Sequence, residues 1–268
     1  MTLRSKIASS RFARAAALPG RAGSASRHLG SEAALTTSWL VTSREHHNYT
    51  YNLSSRNVEH LAWWVATVTG APPDDCRIWI AEALDDKELA SHVQSAVRKS
   101  PRRGLADREV RIGRRAGWYA AIRALRPDYV VETGTDKGLG SVVIASALIR
   151  NGHGHLTTMD INPDAGYLVS GPFAEVTSLA IGDSIKSISE HSEIDLFIHD
   201  SDHSPEHETR ELAAVQGALR PGARVLSDNS HATDSLVEWA RGTNRKFLFF
   251  HEIPDRHWYP GAGIGAAW

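Results

Sequence analysis

Three observations predict a mainly parallel α/β domain over residues 105–268, preceded by a helical N-terminal extension. Between about residues 129 and 227, short apolar runs alternate with turns and helical patterns, the signature of strands joined by crossover helices. Several of these runs end in an acid or a glycine-containing turn. Two further runs close the sequence, joined by a loop short enough to require antiparallel pairing.

Residues 1–35 are expected to form a basic arm. Arg4, Lys6, Arg11, Arg14, Arg21 and Arg27 precede the first acid, Glu32, among Ser, Ala and Gly. This composition also resembles an organellar transit peptide. It equally describes a flexible arm, which is expected because little apolar surface is available to order it. Residues 36–104 read as an irregular helical segment, expected to serve as a lid or an oligomerisation element. Ser54 or Ser55 can cap a helix running through Leu61 to Val68, ended by Gly70-Ala-Pro-Pro. A second helix covers roughly Leu89 to Val97. Trp63 and Trp64 are expected to pack in the core.

Ala106 to Leu125 reads as one amphipathic helix ended by Arg126-Pro127. Strands are expected at Tyr129–Glu132, Leu156–Asp160, Val176–Ile181, Ile194–His199 and Ala223–Ser227. Helical patterns at Gly140–Arg150 and Pro205–Leu219 separate them; the second has Ser204 as N-cap and Pro205 at the first helical position. The closing runs are Lys246–Ile253 and Gly261–Trp268.

Composition sets outer limits. The chain has 268 residues, 41% of them hydrophobic, enough for a sizeable core. Its formal net charge of −1 gives no general attraction to nucleic acid or to membranes. A single cysteine, Cys76, excludes an intrachain disulfide and a cysteine-based zinc centre. No apolar run approaches bilayer length, so a cytoplasmic protein is expected.

The most specific local pattern is Glu132-Thr133-Gly134-Thr-Asp-Lys-Gly138-Leu-Gly140-Ser141. A buried strand ends in an acid, then a glycine-rich turn opens a helix. Gly134 permits a sharp turn, while Gly138 and Gly140 are expected to let a ligand approach the backbone. The spacing is not that of a dinucleotide fingerprint. An acid at the mouth suits a cationic or hydroxyl-bearing ligand, and S-adenosylmethionine offers an amino group, a ribose and a sulfonium.

In this the sequence resembles class I methyltransferases, whose first motif is an acid followed by G-x-x-x-G-x-G. The resemblance covers about residues 106–268 and implies a Rossmann-like sheet of seven strands, the last antiparallel. It assigns cofactor contacts to Glu132, Thr133, Gly134, Gly138, Gly140, Ser141, Asp160, Asp183 and Asp200. Asp160 would take the ribose hydroxyls and Asp183 the adenine amino group.

A second constellation pairs His199-Asp200-Ser201-Asp202-His203 with Asp228-Asn229. If their strands are neighbours, Asp200, Asp228 and Asn229 converge, and two carboxylates with an amide oxygen suit Mg²⁺. Asp202 is the alternative to Asp200. The pattern is similar to metal-dependent O-methyltransferases of the catechol and macrolide-sugar types. That resemblance implies His203 as general base, a small hydroxylated acceptor and the homo-oligomers common among such enzymes. A metal-independent enzyme, a non-catalytic binding module and a histidine-rich metallohydrolase are the alternatives. Asn162-Pro163 follows the second strand, not the fourth, so no nucleic-acid methylation is expected. The lid is expected from the segment before Gly104, with Trp258 and Tyr259, or the Gly166–Pro172 loop, as further walls.

Overall fold

A computed structural model describes residues 13–45, 49–104, 106 and 109–268. The first twelve residues of the expected basic arm lie outside them. The polypeptide divides into two compact units.

The smaller unit holds helix α1 (Ala13–Thr42) and the segment Arg256–Tyr259. The expected arm is therefore helical from Ala13, and its boundary at residue 35 falls inside α1. Alanine, which loses no side-chain entropy in a helix, supplies much of the sequence there. Leu18, Leu29, Leu40 and Val41 are exposed along it, while the Trp39 ring packs on Trp258 with centroids 5.1 Å apart.

The larger unit is built on one seven-stranded sheet in the order β3-β2-β1-β4-β5-β7-β6. Its strands are β1 (Tyr129–Thr133), β2 (His155–Asp160), β3 (Thr177–Ile181), β4 (Ile194–His199), β5 (Leu219–Ser227), β6 (Phe247–His251) and β7 (Gly263–Ala267). The first five run parallel, whereas β7 pairs antiparallel with both β5 and β6. Helices cover both faces of the central strands, so their apolar runs are continuous rather than alternating. Val130, Val131, Leu196, Phe197, Ile198, Val225 and Leu226 are all fully buried.

Before the sheet come α2 (Ser55–Thr69), α3 (Pro73–Leu84), α4 (Lys87–Lys99) and α5 (Arg115–Leu125). Asp86 caps α4 by accepting from the Leu89 amide at 2.9 Å. Along the sheet follow α6 (Leu139–Asn151), the short α7 (Pro172–Glu175) and α8 (Ser184–Ile188), then α9 (Pro205–Gln216) and α10 (Ser235–Gly242). Ser204 caps α9 as expected, its hydroxyl accepting from the His207 amide.

The predicted helix from Ala106 to Leu125 is half as long as expected, since α5 starts only at Arg115. The cause is Gly113. Its φ is +50°, and a Cβ there would lie 2.8 Å from the Tyr51 carbonyl oxygen. The chain is turned by that contact before the helix begins.

Gly134 is the most tightly enclosed of the glycines. Its φ is +88°, and a Cβ would stand 1.9 Å from the Asp200 carbonyl oxygen. The turn after β1 thus rests directly on the turn after β4. Gly134→Ala should cost at least about 2 kcal/mol, from left-handed strain and forced displacement together. Urea unfolding of the variant checks this; a midpoint equal to wild type would contradict the packing account.

Candidate active site

Adjacent parallel strands bring the predicted acids to one end of the sheet. The register pairs Thr133 with both Met159 and His199, Asp160 with Ile181, and His199 with Ser227. Backbone bonds continue past the strand ends, with the Asp200 amide on Thr133 O at 2.9 Å and the Asp228 amide on His199 O at 2.8 Å. Glu132, Asp160, Asp183, Asp200 and Asp228 therefore share the carboxyl edge.

They do not share an environment. Glu132 is fully buried and accepts from the Ser141 hydroxyl and, at 2.7 Å, from the Thr158 hydroxyl. Burial raises its carboxyl to about 7, against the pull of those hydroxyls and of Arg115. Its Oε1 sits where a Cβ on Gly140 would stand, 2.4 Å away, with the Trp118 ring at 3.0 Å. The close approaches expected from a ligand at Gly138 and Gly140 are thus made by the protein itself, at Gly138 by Val169 and Gly166. Thr133 is buried too and donates to Glu211 at 2.7 Å.

Asp160 is half-buried. One oxygen accepts from the Asp136 amide at 2.7 Å and the other from the Asn162 amide at 2.8 Å, which holds the carboxylate rigidly at the end of β2. Ile161 follows it, 78% exposed, near the partly exposed Ile181 of β3. Asp183 is exposed and caps α8, accepting from the Ile185 amide at 3.0 Å. Gly138 caps α6 in a left-handed conformation and faces Gly166 and Val169. The Gly166–Pro172 loop is tied to this turn through Gly166 N to Asp136 O and Leu168 N to Lys137 O.

The second cluster gathers Asp200, His203 and Asp228, whose ligand atoms lie within 4.8 Å of one another. His203 Nε2 is 3.8 Å from Asp200 Oδ1. Asp202 is exposed and turns away to accept from the Ser204 amide at 2.9 Å, so Asp200 is the acid that faces Asp228. Asn229 takes a φ of +50° in the turn after β5, which asparagine tolerates better than most residues.

Sequence reading missed the cations. Both oxygens of Asp228 accept from the Arg114 guanidinium, through Nε and Nη2, in a buried two-pronged pair. Glu252, also buried, lies 3.6 Å from Arg114 Nε. Arg115 Nη2 reaches Asp200 at 3.5 Å, and its guanidinium stands 5.4 Å above the Trp118 ring. Burial opposes ionisation of Asp228, yet the Arg114 charge and hydrogen bonds hold its carboxyl well below the usual range. Burial and the neighbouring Asp228 push Asp200 well above it. Burial also lowers His203, keeping the ring neutral at physiological pH.

In this arrangement of charges the expected divalent ion would have to displace the Arg114 guanidinium from Asp228. Asp228 has no oxygen outside the guanidinium fork, and Arg114 and Arg115 already face the two carboxylates. Opening a buried pair of this kind costs roughly 3–5 kcal/mol.

Glu211 of α9 was missed as well. Its buried carboxylate accepts from Thr133, Ser184, Ser201, His199 Nδ1 (2.7 Å) and His207 Nε2 (2.9 Å). Burial, the largest influence, would raise it, but the interaction with His199 and the bonds from Ser184 and Thr133 together outweigh burial and bring it to about 2. A histidine inside an apolar strand was the available signal, because such a ring needs a buried partner. This network locks His199 in the interior.

Residues 131–230 match a family model described as a methyltransferase domain. No curated protein sequence is detectably similar to the chain. Among solved structures, the O-methyltransferase TomG of Streptomyces achromogenes, involved in tomaymycin synthesis and crystallised with S-adenosylmethionine, superposes with a TM-score of 0.51. It is 16% identical, over 68% of this chain and 90% of that one. A methyltransferase from Geobacter sulfurreducens gives a TM-score of 0.50 at 15% identity, over 66% and 88% of the two chains. At such identities these likenesses establish the fold.

The raised Glu132 carboxyl has a thermodynamic consequence. Its folded value of about 7 exceeds the ordinary 4.5, so the folded state holds a proton that the unfolded chain releases. The contribution to stability is greatest below pH 4.5 and is lost as pH rises to about 7, on the order of 3 kcal/mol in all. Glu132→Gln should remove this slope; urea unfolding of both proteins at intervals from pH 4.5 to 8 checks it.

Proposed function

We propose, from the match of residues 131–230 to a methyltransferase-domain model, that the chain methylates an oxygen of a small hydroxylated molecule. S-adenosylmethionine, when bound, supplies an electrophilic methyl group on a sulfonium. The observation that carries the reading is the row of acids along four adjacent parallel strands, with His203 beside Asp200. Ligands of open α/β sheets bind at this edge.

The chain's own groups divide the work. Asp160, held by two backbone amides, has lone pairs left for a vicinal diol such as a ribose. Ile161 and Ile181 offer apolar surface beside it for a flat heterocycle. Asp183, exposed at the start of α8, is available to accept from an amino group. Glu132 braces the glycine turn from beneath through Ser141 and Thr158.

His203 is neutral and half-buried, 3.8 Å from the Asp200 carboxyl, and can act as general base for a hydroxyl. Methyl transfer from sulfur is an in-line displacement, so the acceptor oxygen must be fixed opposite the sulfonium. The names of fold neighbours, among them TomG, support oxygen as the acceptor atom. A second reading adds a divalent ion held by Asp200, Asp228 and Asn229. The mutual approach of Asp200, His203 and Asp228 favours it, and it requires Arg114 to leave its fork.

Calorimetry with S-adenosylmethionine tests the donor site. Asp160→Ala should weaken binding at least about tenfold, the scale of a lost hydrogen bond to a charged group; no heat with the wild-type protein would sink the proposal. With a hydroxylated acceptor in hand, His203→Ala should lower kcat by about 10²–10⁴ while leaving donor affinity unchanged.

A further inference from the structure

We propose that Arg114 is the resident cation of this site, so that no divalent ion binds between Asp200 and Asp228 while its guanidinium is in place. The inference deepens the methyltransferase reading, but its evidence is the geometry around one side chain.

That geometry is built. Gly113, at φ +50° and pressed against the Tyr51 carbonyl oxygen, ends the approach to α5 and aims residue 114 inward. The planar fork then meets both Asp228 oxygens, the arrangement for which arginine is suited and lysine is not. Glu252, buried in the connection between β6 and β7, flanks the same guanidinium at 3.6 Å. Arg114 is thus shared by two acids. A metal ligand would need the reverse, a carboxylate oxygen turned to open space.

The neighbouring residue completes the balance. Arg115 sits 3.5 Å from Asp200, which is the other carboxylate a metal would use. Both candidate ligands therefore already face a positive charge from the start of α5. A divalent ion added there would stand close to two guanidiniums in a buried, weakly screened setting. His203 and the Asn229 amide alone do not make a site for a hard cation.

In chemical terms, Arg114 keeps Asp228 ionised and immobile beside His203, which is a positioning role. An acceptor oxygen would then meet guanidinium donors and an imidazole at this edge.

The test is Mn²⁺ binding followed by electron paramagnetic resonance, on the full chain dialysed against chelator and without S-adenosylmethionine. Wild type should show no uptake that Asp228→Asn removes. Arg114→Met, which frees both Asp228 oxygens, should gain one Mn²⁺ site, and adding Asp228→Asn to it should abolish that site. One equivalent of Mn²⁺ bound by wild type and lost in Asp228→Asn would overturn the proposal. If Arg114→Met fails to fold, the wild-type and Asp228→Asn titrations still decide. Donor calorimetry is run separately, so a failed methyltransferase reading and a failed cation assignment give different results.

Discussion

The contact between Gly134 and the backbone of Asp200 is the constraint on which the functional edge depends. It brings the turn after β1 against the turn after β4, with no room for a single added carbon. Because β1 and β4 are parallel neighbours in register, this one approach sets where Asp200 emerges and how the glycine turn enters α6. Glu132 reinforces it from below by bonding Ser141 and Thr158. Glu211 does the same from the opposite face, tying β1, β4 and the start of α8 to α9. The edge is rigid because its backbone is packed against itself, before any ligand is considered.

Electrostatics follow from this packing. Carboxylates forced together at the ends of adjacent strands must be neutralised by protons, cations or hydrogen bonds. Glu211 is satisfied by donors, Glu132 by burial with a proton, and Asp228 by Arg114. Glu211 and Asp228 are thereby ionised at neutral pH, whereas Glu132 is held partly protonated.

Much of the architecture was legible in the sequence because it is local. Strand positions, the Ser204 cap and the antiparallel closure all depend on nearby residues, and the acids fall at strand ends that periodicity can locate. The break at Gly113 was not legible, since its cause is the Tyr51 carbonyl, 62 positions earlier in the chain. Ala106 to Leu125 has helical periodicity throughout, so nothing local marked Arg114 as an inward-facing group. Glu252 sat in a run read only as strand, and Glu211 lies inside the predicted helix Pro205–Leu219 with nothing local to mark it as buried. The two glycines thought to admit a ligand were correctly seen as positions needing space. What fills that space is protein, and a sequence pattern does not distinguish the two.

Arg114, Arg115 and Glu252 all lie outside residues 131–230, the stretch that matches the methyltransferase-domain model. The limits of the recognisable module and the limits of its charge neutrality therefore do not coincide. An excised fragment trimmed to the matching region would keep Asp200 and Asp228 and forfeit both guanidiniums, exposing two crowded acids to mutual repulsion. Any transplant, truncation or chimera of this edge has to carry the turn at Gly113 with it.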